Sequence, residues 1–443
     1  MAHSTEADQE ADKNISKLYA LANYEDSYVQ PLLLAMLKAK LPVELLVFIE
    51  DMSELPSPNA RVIQWRQYES IDFDHLMANS STSVANSYII RKALIRKHYL
   101  SNTVNHWLTK HPDSALRHHI QPSVEFEVDY AEFLDDALIE AYELKESWTR
   151  NAARGEDDPA REWWILKPGM SDRGQGIRLF SSEEELTSIF EEWDPPSDDD
   201  DEEEDATSHD GHSDVNEDGN GVMASQLRHF IAQPYISAPL LMPEAHASGG
   251  RKFHVRTYVL AVGALQVYVY KPMLALFAGE LYAKPSASAS PNEDLSSHLT
   301  NTCLQDGSRE GSVHTFWSLP DNVSGKLSTT WKEDVYKQIC SVTGEIFEAA
   351  ARSMSIHFQP LPNAFEIFGL DFLIDDNGTA WLLEVNAFPD FAQTGNELQD
   401  IIRGLLEGVT DTAIKPFLGL HTEKDVACDK QMTQVLDIDL GRR

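Results

Sequence analysis

The sequence predicts a chain of mixed α and β structure, and three patterns in its second half carry that prediction. Short runs rich in β-branched and aromatic residues recur at 230–236, 252–262, 265–270, 366–374 and 379–385, which is the signature of strands. Between them, 330–357 has the apolar spacing of an amphipathic helix. Asn377-Gly378 between two apolar runs predicts a two-residue hairpin turn.

The first half is less regular. Residues 1–15 read as a disordered lead and 16–90 as a small α/β domain. Within it, 19–37 carries apolar residues at mixed helical spacing, and 43–49 (VELLVFI) is strand-like. Residues 87–108 read as one helix with an apolar stripe of Ile90, Leu94, Ile95 and Val104. Off that stripe lies a basic cluster of Arg91, Lys92, Arg96 and Lys97, either a solvated face or an arm toward a phosphate. From Asp194 to Asp218 there are 13 acids and no Lys or Arg. Like charges repel and nothing there can be buried, so 194–220 is expected to be a disordered insertion. The expected division is a lobe at 91–245 carrying that insertion, a second lobe at 246–420, and a tail at 421–443.

Composition narrows the function. A length of 443 residues suggests about two to four domains. With 36 Lys+Arg against 72 Asp+Glu, the formal charge is −36. That argues against direct nucleic-acid binding, which needs clustered cations, and against docking on an anionic membrane. Three cysteines, Cys303, Cys340 and Cys428, form no CxxC and no paired framework, which suits a reducing compartment. No apolar run is long enough for a membrane span, and the N-terminus, MAHSTEADQEADKN, is too acidic for a targeting peptide. A soluble, cytoplasmic protein is expected.

The chemistry concentrates in FEIFGLDFLIDDNGTAWLLEVNAFPD, 365–390. Pairing outward from a two-residue turn sets Asp376 opposite Thr379, Asp371 opposite Glu384 and Gly369 opposite Asn386. One face then carries Phe368, Leu370, Phe372, Ile374, Trp381, Leu383 and Val385, and the other carries Asp371, Glu384 and Asn386. Two carboxylates directly opposite repel. A hard divalent cation such as Mg²⁺ resolves the conflict, taking carboxylate and amide oxygens and sharing its other positions with phosphates. The alternative is a solvated polar face. A second run places Lys252, His254 and Arg256 on one strand face, suited to an anion or to an edge strand blocked by charge. A third, WWILKPGMSDRGQGIRLF at 163–180, reads strand, Gly-rich loop, strand, with Lys167 just before the loop. It is either a phosphate loop or a flexible hairpin. It is neither a Walker A loop nor a Rossmann fingerprint.

Taken in order, the blocks LKPGMSDRGQGI, AQPYI, RKFHVRTYVL, HLTNT and FEIFGLDFLIDDNGTAWLLEVN resemble the tubulin–tyrosine ligase-like family of ATP-grasp proteins. YKPMLALFA brings the sequence nearest the fungal branch associated with cytoplasmic processing bodies (P-bodies). The resemblance implies an α+β ATP-grasp fold, with two lobes clamping ATP and a small N-terminal α/β domain. It also implies Mg²⁺- and ATP-dependent joining of a free amino acid to a protein carboxylate, the acceptor being tubulin or another cytoplasmic protein.

Carried over by motif, Asp371, Glu384 and Asn386 match magnesium ligands. Lys167 and Lys252 match phosphate-holding lysines, and Arg173 and Gly174 match the loop over the nucleotide. Gln233, Pro234, Tyr235 and Ile236 match the adenine hinge, and Thr300 and Asn301 match positions near acceptor and nucleotide. His254 and Arg256 complete the strand, with Arg256, Lys252 and Glu384 as the catalytic set. Lys92 is a further candidate from the preceding lobe. Two residues depart from the pattern: His254 stands where the family has Asp, and Leu276 where it has an Arg for the amino-acid carboxylate. These departures keep open a second reading, a degenerate nucleotide-binding module that scaffolds mRNA-decapping factors. A third reading is a small-molecule ligase.

Overall fold

The computed structural model describes residues 17–155, 158–169, 174–194, 228–286, 295–300, 312–420 and 431–441. The expected disordered lead and the acidic stretch from 195 onward lie outside the described residues, as do Arg173 and Asn301.

The N-terminal unit is a parallel sheet in the order β2-β1-β3-β4: β1 (Leu18–Asn23), β2 (Leu46–Phe48), β3 (Arg61–Arg66) and β4 (Ser83–Ala85). Parallel strands need crossovers, here supplied by α1 (Val29–Lys40) and α2 (Phe73–Ala78). Helix α1 buries Val29, Leu32, Leu33, Met36 and Leu37, a stripe at helical spacing. The helical spacing expected across 19–37 is therefore correct only for its second part. Its first part is β1, which is mostly buried and so shows no alternation.

The helix expected at 87–108 is two: α3 (Lys92–Ile95) and α4 (Lys97–Lys110). The chain is extended at Arg96 between them (φ −105°, ψ 124°). That break re-aims Lys97, while Leu100, Val104 and Trp107 of α4 stay in the core.

The middle lobe is an antiparallel sheet, β5-β8-β6-β7, of β5 (Val124–Glu127), β6 (Trp164–Pro168), β7 (Arg178–Phe180) and β8 (His229–Pro234). One face packs through Trp164, Leu166, Phe230 and Ala232 against α5 (Leu134–Ala137), α6 (Tyr142–Ala152) and α7 (Glu183–Trp193). Helix α7 starts at Ser182, whose Oγ accepts from Glu185 N–H at 3.2 Å, and it carries three Glu in its first turn.

The largest sheet is antiparallel and built on β9 (Arg251–Val262). Strands β10 (Gln266–Tyr270) and β11 (Leu274–Leu281) share one edge of β9, extended by β15 (Met432–Asp437) and β12 (Val313–Thr315) respectively. Strand β15 thus lies within the stretch read as a tail. On the other edge runs β13 (Phe365–Ile374), followed by β14 (Ala380–Ala387). Helix α8 (Trp331–Ser353) covers one face with Trp331, Val335, Ile339, Val342, Ile346 and Phe347. The other face packs through Tyr258, Leu260, Phe365 and Ile367 against the N-terminal unit and α9 (Gln399–Val409).

The β13–β14 hairpin corrects the sequence reading in an instructive way. The two-residue turn does not form. Asp375 Oδ1 accepts from the backbone N–H groups of Asn377 (3.0 Å) and Thr379 (2.9 Å), and Gly378 takes a positive φ of 82°. This side-chain cap lengthens the connection, so Ile374 pairs with Ala380. A register shift between Asp371 and Phe372 then restores the expected pairing, Asp371 opposite Glu384 and Gly369 opposite Asn386. Beyond the bulge the core residues of β14 are Ala380 and Leu382, in place of the expected Trp381 and Leu383.

Candidate functional site

A cleft of about 460 Å³ separates the middle-lobe sheet from the β9–β13–β14 face of the large sheet. Alternation on β9 sends Phe253 and Val255 into the core and Lys252, His254 and Arg256 into the cleft. All three side chains are at least 94% buried, on a strand paired along both edges. The edge-strand alternative is thereby removed.

On the opposing wall, β6 presents Lys167 and β8 presents Gln233. Lys167 Nζ donates to Gln233 Oε1 at 2.8 Å, and Gln233 Nε2 donates to Ser123 Oγ at 2.8 Å. Lys252 Nζ donates to the Tyr235 hydroxyl at 3.0 Å, which meets His298 Nδ1 at 3.0 Å. Neither lysine has a carboxylate within ion-pairing distance among the described residues. Burial lowers the Lys167 amine to about 8, with Glu384 opposing, and lowers Lys252 to about 7, reinforced by Lys167. Two buried amines that face one cavity, neither of them ion-paired among the described residues, suit an anion.

The acidic side of the cleft is equally definite. Arg256 Nε and Nη2 donate to the two oxygens of Asp371 at 2.5 and 3.1 Å, a bidentate pair. Burial opposes the Arg256 charge, yet Asp371 raises its pKa. His254 Nε2 lies 3.4 Å from Asp371 Oδ1, and His254 Nδ1 lies 2.5 Å from Thr300 Oγ1. Burial pushes the His254 imidazole down. Asn386 Nδ2 sits 3.1 Å from Glu384 Oε1 and 3.4 Å from Asp371 Oδ2, so three oxygen-bearing side chains converge. Burial would raise the Glu384 carboxyl, but Lys97, the Asn386 amide and Lys167 outweigh it and hold it at about 2.

Among the described residues no group of three or more His, Cys, Asp and Glu is arranged to hold a metal. Two carboxylates and an amide, once the Asn386 amide turns its oxygen inward, nevertheless fit an ion that keeps waters and binds phosphate oxygens. The donor set therefore suits Mg²⁺.

The structure thus gathers Lys167, Gly174, Gln233, Pro234, Tyr235, Ile236, Lys252, His254, Arg256, Thr300, Asp371, Glu384 and Asn386 around one cavity. Lys92 is exposed and lies outside it. Of the basic run, Lys97 lines the cleft, 3.4 Å from Glu384 Oε2. Arg91 instead forms a buried pair with Glu366 at 2.8 Å, so neither is a solvated charge. Sequence reasoning also missed His298, although it stands in the HLTNT block, and Phe388, whose positive φ of 49° has no signal in sequence. Leu276 is buried in the cleft wall, opposite His254 on the neighbouring strand.

A cleft between two α+β lobes, with Lys167 on one wall and Lys252, Arg256 and the carboxylates of Asp371 and Glu384 on the other, is the arrangement of the ATP-grasp fold. The crystal structure of the C-terminal domain of K. lactis Pby1 superposes with a TM-score of 0.67 at 33% identity, covering 96% of this chain and 99% of that one. It is described as an ATP-grasp enzyme interacting with the mRNA decapping enzyme Dcp2.

The model of the tubulin–tyrosine ligase family matches residues 77–420, and the chain belongs to that family. A probable tubulin–tyrosine ligase of Schizosaccharomyces pombe is 44% identical over 427 residues, 94% of this chain and 96% of the relative. The probable tubulin–tyrosine ligase PBY1 of Saccharomyces cerevisiae is 40% identical over 97% of this chain, which spans only 56% of that relative. The family and the fold are of the ligase kind. No described helix is long and apolar enough to cross a membrane.

Proposed function

We propose that the chain is an ATP- and Mg²⁺-dependent ligase that joins an amino acid to a protein carboxylate, forming ADP and phosphate. The observation that supports it is the pair of buried lysines, neither ion-paired among the described residues, that share one cleft with Asp371, Glu384 and Asn386. Lys167 and Lys252 hold the phosphates, and Gln233–Ile236 border the base. Asp371, Glu384 and Asn386 would hold the metal, which would supply positive charge to neutralise the transferring phosphoryl group. Arg256 fixes the Asp371 carboxylate and adds positive charge beside it.

In the reaction an acceptor carboxylate oxygen attacks the γ-phosphorus and ADP leaves. The amine of the amino acid then attacks the acyl carbon, phosphate leaves, and the nitrogen gives up a proton. No protein nucleophile is required, so catalysis rests on positioning and on cation stabilisation. Acceptors of the tubulin class, and a cytoplasmic or P-body location, belong to this proposal.

The test is ADP release by purified protein with Mg²⁺, ATP, mixed amino acids and acceptors including tubulin. Release that vanishes in Glu384→Gln supports ligation; full activity in that variant rejects the site. A second reading rests on Leu276. An apolar side chain there cannot pair an amino-acid carboxylate, which favours a nucleotide-binding scaffold for decapping factors. Tight ATP binding without turnover on any acceptor, together with recovery of a decapping partner, would support it.

A further inference from the structure

Nine large hydrophobic side chains are exposed among the described residues, and four of them fall within one short stretch of the middle lobe. Tyr130 is 43% exposed, Phe133 48%, Ile139 59% and Tyr142 65%. The Tyr130 and Phe133 rings lie 6.3 Å apart, edge to face. The stretch is anchored from beneath by Leu134, Leu138, Ala141 and Leu144, which pack on the core-facing side of the lobe sheet. Lys167 and Gln233 project from the other side of that sheet into the cleft. The apolar surface therefore points away from the candidate nucleotide site, and its exposure is not explained by substrate binding.

Its surroundings are mainly acidic; the basic residues beside it are Lys145, whose Nζ lies 3.5 Å from the Ile139 carbonyl oxygen, and Arg150, which is paired with Glu162. Between Asp129 and Leu144 the sequence has six carboxylates and no Lys or Arg. Glu132, Asp135, Asp136, Glu140 and Glu143 make no ion pair among the described residues, whereas Asp129 meets Arg228 at 3.4 Å. The Asp194 carboxylate accepts from Ala131 N–H, with both oxygens at 3.1 Å, which places Asp194 at the edge of the same surface. Exposed aromatic rings within an acidic rim complement a segment that carries apolar anchors flanked by Lys or Arg, whose cations also suit the ring faces. No stretch of this chain outside the described residues is strongly basic, and a second copy would bring another charge of −36.

We propose that the surface formed by Tyr130, Phe133, Ile139 and Tyr142 docks a basic, amphipathic segment of another protein, independently of the cleft. The probe is a labelled helical peptide with Leu on one face and Arg on the other, titrated into the full chain and followed by fluorescence anisotropy. Two control peptides replace Leu by Ser or Arg by Glu. The Leu/Arg peptide is expected to bind at least about tenfold tighter than either control. Phe133→Ser combined with Tyr142→Ser, both exposed and so neutral for folding, is expected to remove that preference. Lys252→Met is expected to leave it unchanged, which separates this result from failure of the nucleotide site. Equal binding of the Leu→Ser peptide, or unaltered binding by the double variant, would mean bulk charge attraction only and would overturn the proposal. A Tm of the double variant matching that of the parent chain completes the test. If the fold is lost, Asp135→Lys with Asp136→Lys asks the same question through charge, and undiminished binding there also overturns it.

Discussion

Binding of a nucleotide polyphosphate should draw protons into the cleft, and the amount follows from two lysines. Lys252 is held at about 7 and Lys167 at about 8, mainly by burial. Phosphate oxygens need both amines charged, so binding above these values must recruit the missing protons. At pH 8, Lys252 is about nine-tenths neutral and Lys167 about half neutral, which gives an uptake of about 1.4 protons per nucleotide. The same fractions weaken binding about tenfold between pH 7 and 8, and about fiftyfold more by pH 9. Calorimetry with Mg-ATP in buffers of different ionisation enthalpy measures the uptake directly. Lys252→Met should leave about half a proton, since only Lys167 remains to be charged. Uptake near zero at pH 8, with unchanged affinity from pH 7 to 9, would refute the placement of phosphates against these two amines.

Three further outcomes are expected. Ligand-free Lys252→Met should be more stable than the parent chain near pH 7, by up to about 5 kcal/mol for a fall from 10.5 to about 7, since a buried amine without a counter-charge costs stability. The folded-state pKa lies below the unfolded value of 10.5, so the penalty is full below about 7 and fades as pH rises toward 10.5. Melting curves at pH 6.5 and 10 should therefore converge, and a gap that persists at high pH would sink the explanation. Arg256→Lys keeps the charge but loses the bidentate geometry against Asp371, so kcat should fall at least about tenfold with Tm little changed. Phe388→Gly should relieve about 1 kcal/mol of backbone strain at φ 49°. It should still impair Mg-ATP binding, because the Phe388 ring rests 5.4 Å from that of Tyr24 and helps hold the chain just beyond Asn386; unchanged affinity would refute that role.

The candidate site was largely legible because its residues obey strand alternation. Lys252, His254 and Arg256 fall on one side of β9 wherever its ends are drawn. The Asp371–Glu384 pairing was reached through a turn that does not exist. It held because the Leu383 bulge offsets the longer connection capped by Asp375. Neither feature has a pattern of its own in the sequence. Lys97 was hidden differently: periodicity continues through Arg96, where the backbone turns extended and rotates the next helix toward Glu384. The N-terminal strand was missed because a strand buried on both faces cannot be told from a helix by apolar spacing.

The shared core beneath the large sheet bears on how this protein can be shortened. Trimming to residues 77–420, the span matched by the family model, would delete β1, β2, β3 and β15. Tyr258, Leu260, Phe365 and Ile367, now covered partly by Ile63 and Trp65, would be stripped on the face opposite α8. Tyr24 would no longer support Phe388. A fragment cut at those limits would present a sticky sheet surface and an unsupported loop beside its own acidic residues, and would tend to aggregate before it could be assayed. Expression trials therefore belong on chains that begin before Leu18 and run past Asp437.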